Sequence, residues 1–454
     1  MTYRQAIDYL NSFIDFERLP EPRMVTTDDD IARFRELLAR LGNPHRRYPV
    51  LHVVGTKGKG STSALLAFIL TAHGLKVGLY TSPHLVSVRE RTMIDGRPVG
   101  RREFASAMAR IEASSPQQSG DIRLAFRTVF EHLTAAAFIN FADAGVDVAV
   151  VEAGLGARLD ATIVVDPVLT VLTPIGLDHT NVLGGTIREI AWDKAHSIKS
   201  KGSVVSAPQV DEAAREIEAR AAHMGARLHF AQGREEFTTF KASLRGSTVR
   251  GSVDLFGEKP LQLPLAGSFQ LENLSTALEA VRWMRDTGFL KPKQEAVREG
   301  IRRVRWPGRL QRIIEHPLVV LDGAHNELAA HNLVSALKQI APGRKWEVVY
   351  SSILNKPAAG MLRALKPISR QVHLAALCFP KGLHADALRV AAEEAGVEYS
   401  PWPDVPTAIR KAMERATADS GVLVTGSLYL VGEALRWKRG LSPPPADGRI
   451  DDRI

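Results

Sequence analysis

The chain has 454 residues, 45% of them hydrophobic and 24% charged, a balance that predicts a folded protein of two or three domains. Its single cysteine, Cys378, excludes an internal disulfide and suits a reducing compartment, so a cytoplasmic location is expected. The formal net charge of +9 and pI of about 9.6 attract anions. Aromatics make up only 6% and no tight Lys/Arg block stands out, which favours small anionic substrates over nucleic acid.

The first twenty residues carry dispersed charge and do not read as a signal peptide, and no uncharged apolar stretch is long enough to span a bilayer. Residues 1–46 read as helical, with Ile31, Phe34, Leu37, Leu38 and Leu41 near helical spacing, and Gly42, Asn43 and Pro44 end that segment. A short buried-type strand follows at 48–54, then a glycine-rich loop and a helix at 61–73. Further strands are expected at 76–81, 147–151 and 168–174, with a helix around 125–142 between them. Strands alternating with helices predict a parallel, doubly wound α/β sheet. Residues 228–265 change to alternating Thr, Val and Phe with glycine breaks and read as hairpin strands, before an amphipathic helix at 272–287. Residues 302–308 (RRVRWPG) read as a linker. Alternation then resumes at 318–321, 329–340, 346–351, 372–377, 407–417 and 422–425, a second and smaller Rossmann-like α/β domain. The expected division is 1–302 and 303–440, with a Pro-rich, charged tail at 441–454 that reads as disordered.

The strongest local signal is GTKGKGST at 55–62, between a strand and a helix. Glycines there let backbone N–H groups turn onto phosphate oxygens, and the helix N-terminus adds partial positive charge. Lys59 can reach terminal phosphates, while Ser61 or Thr62 can cap the helix or face a metal. The usual pattern ends Gly-Lys-Ser/Thr, whereas Gly60 here separates Lys59 from Ser61. A plain turn that binds nothing is the competing reading, but three glycines and two lysines in seven residues are an odd choice for one.

Residues 147–152 form an apolar run ending in Glu152, and the C-terminal edge of a parallel sheet is where a magnesium-anchoring acid belongs. Alone, Glu152 reads equally well as a solvated strand end. The next strand leads to Asp178 and His179; a lone histidine is more often structural, but its place beside Glu152's strand allows both to face one crevice. Lys194 lies in a helix opened by Thr186, where a lysine ordinarily faces solvent.

Eight segments in order carry a resemblance: 55–61, TSPHL at 81–85, VEAGLGARLDAT at 151–162, IGLDHT at 175–180, DKA at 193–195, PGRL at 307–310, LDGAHN at 321–326 and GSLY at 426–429. Together they resemble folylpolyglutamate synthase and the bifunctional dihydrofolate synthase/folylpolyglutamate synthase, a branch of the Mur ligase superfamily, over roughly residues 1–440. The resemblance implies an ATP-dependent ligase that joins L-glutamate to a reduced folate or to dihydropteroate through an acyl phosphate, releasing ADP and phosphate. By the same resemblance Gly55, Thr56, Gly58, Lys59, Gly60 and Ser61 cradle ATP, and Asn273, Arg309, Asp322 and His325 match its nucleotide-contacting motifs. Ser82 and Glu152 match ligands of one magnesium ion, and His179 helps hold a second. Lys194 matches the family's carbamoylated lysine, which places Lys59, His179 and Lys194 at the catalytic centre. Thr128, Phe130, Glu131, Leu159, Asp160 and Ala161 match segments near the pterin. A monomer is expected, with neither nucleic acid nor membrane as partner. Closure of the second domain on the first is expected to complete the ATP site, about a hinge near 302–307.

Several positions depart from the family pattern. Lys57 stands where many relatives have Asn, Ala157 replaces a Gly, Ile163 stands where Asn is common and His196 replaces a Gly. Phe269 stands in a Gly-x-His-Gln context, and the Asn355–Pro357 turn differs from an Asp-Lys-Asp-like one. None removes an implied metal ligand or phosphate contact. Two other functions were weighed. A Mur-type ligase acting on a cell-wall nucleotide peptide would carry a nucleotide-sugar domain before the loop, where only 54 residues stand. A nucleotide-binding regulator without turnover would have no need of Lys59, Glu152, His179 and Lys194.

Overall fold

The structure, a computed structural model, describes residues 1–18, 26–115 and 128–451. Two α/β bodies meet across a crevice. The first is built on eight strands: β1 (Val50–Val54), β2 (Val77–Tyr80), β3 (Thr92–Ile94), β4 (Arg97–Pro98), β5 (Val148–Glu152), β6 (Leu169–Leu172), β7 (Ser203–Ser206) and β8 (Arg227–Phe230). Their order is β4-β3-β2-β5-β1-β6-β7-β8, and all pairs are parallel except β2–β3 and β3–β4. β1 lies between β5 and β6, so the chain leaves it in opposite directions. The crevice at the carboxyl ends of such strands is the natural ligand site of a doubly wound sheet.

The pleat sorts the core. In β5, Ala149 and Val151 face the helices Tyr3–Leu10, Asp28–Arg40, Arg101–Ser114 and Val129–Ala144. Val148 and Val150 face Lys59–Ala72, Phe269–Asp286 and Gln294–Arg303 on the other side. Burial on both faces is why these strands read as continuous apolar runs. A three-stranded antiparallel meander follows, β9 (Thr238–Ser243), β10 (Gly246–Arg250) and β11 (Leu261–Leu263).

The second body is a six-stranded sheet: β12 (Gln311–Ile314), β13 (Val319–Asp322), β14 (Lys345–Tyr350), β15 (Ser369–Ala375), β16 (Tyr399–Trp402) and β17 (Ser420–Thr425). Its order is β12-β13-β17-β14-β15-β16, with only β12 antiparallel. Among the described residues no helix is long and apolar enough to cross a membrane.

Three sequence expectations change. The N-terminal helical segment is two helices and a 3-10 turn at Pro44–Arg46, because Thr27 and Asp30 form a capping box that starts a new helix. The first strand expected in the 228–265 hairpin region, β8, instead joins the large sheet as its parallel edge. The described part of the tail, up to Asp451, packs back on the end of the helix Tyr3–Leu10. The Asn11 side chain donates to the Ile450 carbonyl at 3.0 Å and accepts its N–H at 2.9 Å, and Ile450 is 7% exposed. One apolar residue with a two-point backbone clasp offsets the disorder that Pro-rich composition implies.

Candidate active site

The helix Lys59–Ala72 begins at Gly58 without any side-chain cap, so the first-turn N–H groups keep their donors free. Gly58 has φ +82°, and a Cβ there would stand 2.1 Å from Asn273 Oδ1; a Cβ on Gly60 would stand 2.6 Å from the Trp306 ring. The loop is therefore clamped between the helix Phe269–Asp286 and the interdomain linker, and glycine is required by close approach. Gly55 abuts Thr173 in the same way. Thr56 and Lys57 donate their N–H groups to the Pro174 carbonyl at 3.1 Å each, and the Thr56 hydroxyl donates to the Gly176 carbonyl at 3.1 Å. Thr56 thus ties the loop to the segment leading to His179. Asn273, implied as a nucleotide contact, donates to Gln270 Oε1 at 2.8 Å and supports the loop from below. Ser61 is buried at the first turn.

Glu152 ends β5 at 4% exposure, and its Oε2 has no hydrogen-bond partner. Burial pushes its carboxyl up to about 7, against the pull of Lys59, the Ser82 N–H and Arg309. An orphaned carboxylate oxygen beside a phosphate loop and Ser82 suits a magnesium ion, which characteristically takes one or two carboxylates plus substrate phosphates. Among the described residues no three His, Cys, Asp or Glu side chains form a cation cage. The residues therefore fit an ion held at the Glu152 carboxylate and completed by the nucleotide.

Lys194 is 3% exposed, not on a solvated face. Burial lowers its amine to about 7, with Lys59 pushing the same way and Asp193, Asp160 and Asp178 opposing. An amine poised there is neutral often enough to attack carbon dioxide, which is the chemistry a carbamate needs. Asp193 Oδ2 accepts the Ala157 N–H at 2.8 Å, and Asp160 Oδ2 accepts the N–H groups of Gly154 and Leu155 at 3.0 and 3.1 Å. These two carboxylates hold the loop that follows Glu152.

His179 has φ +49° and opens a short helix, with its side chain 48% exposed at the crevice. Partial desolvation, joined by Lys356, His325 and Lys59, lowers the ring to about 4 although Asp178 opposes, so the imidazole is neutral and can act as a ligand. Lys59 lies within electrostatic reach of Glu152, Lys194 and His179 alike.

The second body closes the crevice. Arg309 influences both Glu152 and Asp322, and its guanidinium lies over Gly323. Both Asp322 oxygens accept backbone N–H groups, from Leu310 and Ala324 at 2.9 Å, so this acid first shapes the Arg309 turn. His325 Nε2 is 3.5 Å from Asp178 Oδ2, and Lys356 Nζ is 2.7 Å from Asp178 Oδ1.

The six pterin-side residues divide by role. Thr128 and Glu131 form the capping box of the helix Val129–Ala144, and Asp160 fastens its own loop. Phe130 and Asp160 meet over Gly154, with Leu159 partly buried and Ala161 buried beside them. Asp178, Lys356 and Trp306 had no role from sequence. Asp178 was signalled only by its place before His179, and nothing local marked Trp306.

A glycine loop at the sheet's switch point, an unpaired acid, a low-pKa lysine and a second domain over them define an ATP-dependent ligase of the Mur type. Residues 53–281 match the Mur ligase middle domain and residues 308–428 the Mur ligase glutamate ligase domain. The chain is 34% identical to the dihydrofolate synthase/folylpolyglutamate synthase of Bacillus subtilis, over 89% of this chain and 93% of that one. It superposes on Mycobacterium tuberculosis folylpolyglutamate synthase complexed with ADP with a TM-score of 0.84 at 30% identity, covering 97% of this chain and 100% of the other. Escherichia coli FolC in complex with DHPP and ADP gives a TM-score of 0.81 at 31% identity, covering 97% and 98%. The chain belongs to the folylpolyglutamate synthase/dihydrofolate synthase family.

Proposed function

We infer that the protein ligates L-glutamate to the carboxyl group of a folate-type acid, tetrahydrofolate or dihydropteroate, with ATP cleaved to ADP and phosphate. The observation that carries this reading is the convergence of Lys59, Glu152, His179 and Lys194 on the mouth of the phosphate loop. The folate-type carboxylate attacks the γ-phosphoryl group, and Lys59 with the free N–H groups of the helix start stabilises the charge that develops there. The acyl phosphate formed is a far better electrophile than a carboxylate. The neutral amine of glutamate then displaces phosphate. Ser82 and Glu152 would hold one magnesium ion and His179 would help hold a second, with a carbamate on Lys194 beside them, and these ions would supply charge neutralisation to the reaction. Arg309 reaches the same place from the second body, so domain closure assembles the site. The single chain carries both halves of the crevice, which supports a monomer as the working unit.

The test is phosphate release with ATP, glutamate and either dihydropteroate or tetrahydrofolate. Release that requires glutamate and one of these acids supports the reading and tells the two substrates apart. ATP binding without glutamate-dependent release would replace it with a binding role.

A further inference from the structure

Lys57 puts a second ammonium in the phosphate loop, and among the described residues it is unmatched. Its Nζ is shut off from solvent and has no hydrogen-bond partner. Its backbone is pinned, with Thr56 and Lys57 both donating to Pro174, so the side chain leaves from a fixed origin. The charge that acts on it is Asp178, yet that carboxylate is already engaged. Oδ1 takes Lys356 Nζ at 2.7 Å and the His179 N–H at 3.0 Å, and Oδ2 takes Asn326 Nδ2 at 3.3 Å. A desolvated ammonium without a partner is costly, and such a group persists where a ligand supplies the missing acceptor.

We propose that Lys57 is a phosphate-positioning residue that donates to an oxygen of the terminal phosphoryl group of ATP, an inference that rests on the ATP-ligase reading above. Two residues away, Lys59 acts on Glu152, Lys194 and His179, whereas Lys57 answers to Asp178. The terminal phosphoryl group then meets two lysines of the same loop. An Asn at this position, as in many relatives, is shorter and uncharged and delivers less to the same oxygen.

The experiment compares wild type, Lys57→Asn and Lys57→Met for affinity toward ADP and the non-hydrolysable analogue AMPPCP, both with magnesium, and for the KM of glutamate. AMPPCP affinity is expected to fall about 10- to 100-fold in Lys57→Met, the span of a charge-assisted hydrogen bond, with Asn intermediate and ADP changed less than about 3-fold. The free Lys57→Met protein should be at least as heat-stable as wild type, because an unpaired ammonium is gone. Unchanged AMPPCP affinity, an equal loss for both nucleotides, or a change confined to the glutamate KM would each overturn the proposal. Failure of wild type to bind either nucleotide would instead overturn the ATP-ligase reading itself.

Discussion

Lys356 Nζ donates to Asp178 Oδ1 across 2.7 Å, joining the segment after β6 in the first body to the turn after β14 in the second. Both side chains are nearly buried, at 11% and 10% exposure. Asn326 and His325 approach the other oxygen, so one carboxylate receives three side chains from the opposite domain. Burial by itself would raise the Asp178 carboxyl, but the His325 hydrogen bond and the charges of His179, Lys356 and His325 hold it far below the usual range. The consequence is a latch at the edge of the active site.

Breaking one side of such a pair leaves a buried charge. Lys356→Met is expected to lower stability by about 3 kcal/mol, and Asp178→Asn by a similar amount. The double variant should cost less than the sum by about 1–3 kcal/mol, read as the coupling energy in a denaturant double-mutant cycle. Strict additivity would mean that the two groups do not act on each other.

The close approach of Gly60 and Trp306 links the loop to the segment between the two sheets. Gly60→Ala forces the new methyl into the indole, 2.6 Å from its nearest ring carbon. Ligation is expected to drop at least about tenfold, since small misplacements of a reacting group cost that much or more. Gly60→Ala combined with Trp306→Leu should recover part of the loss. No recovery would place the damage in the loop backbone and not at the linker.

Lys194→Ala is expected to abolish ligation while leaving ATP affinity within a few-fold. The lowered amine also sets a direction with pH: at about 7 it is mostly neutral at pH 8 and mostly protonated at pH 6. Enzyme stripped of carbon dioxide should therefore regain activity on adding bicarbonate faster at pH 8 than at pH 6. Turnover like wild type in Lys194→Ala would refute the carbamate role.

His52 should make the fold sensitive to acid. The Thr162 hydroxyl donates its only hydrogen to Asp160, so His52 Nε2 must donate to Thr162 Oγ1, 2.9 Å away. His52 Nδ1 is buried without a partner, and burial, with Lys199, lowers the ring to about 3. The unfolded chain takes up this proton near 6.5 and the folded chain only near 3. Stability is therefore full above 6.5 and falls as pH drops toward 3, by about 1.4 kcal/mol per pH unit. His52→Gln keeps a donor for Thr162 and removes the titration. Denaturant unfolding at pH 6.5, 5.5 and 4.5 should show a shallower decline in the variant, and parallel curves would refute the assignment.

Local pattern alone determined the doubly wound core, the second α/β body and the phosphate loop. Strands buried on both faces read as apolar runs, and a glycine loop between strand and helix has few other uses. The same reasoning placed Lys194 on a solvated face, and only family likeness marked it out. Burial is a property of what packs over a residue, and what packs over Lys194 comes from segments distant in the chain. The tertiary structure alone decided that Asp178 is the latch, that Trp306 needs Gly60, and that Lys57 stands unpaired. Each depends on which groups meet across more than a hundred residues of sequence or on which find no partner at all, and neither is written in spacing or composition.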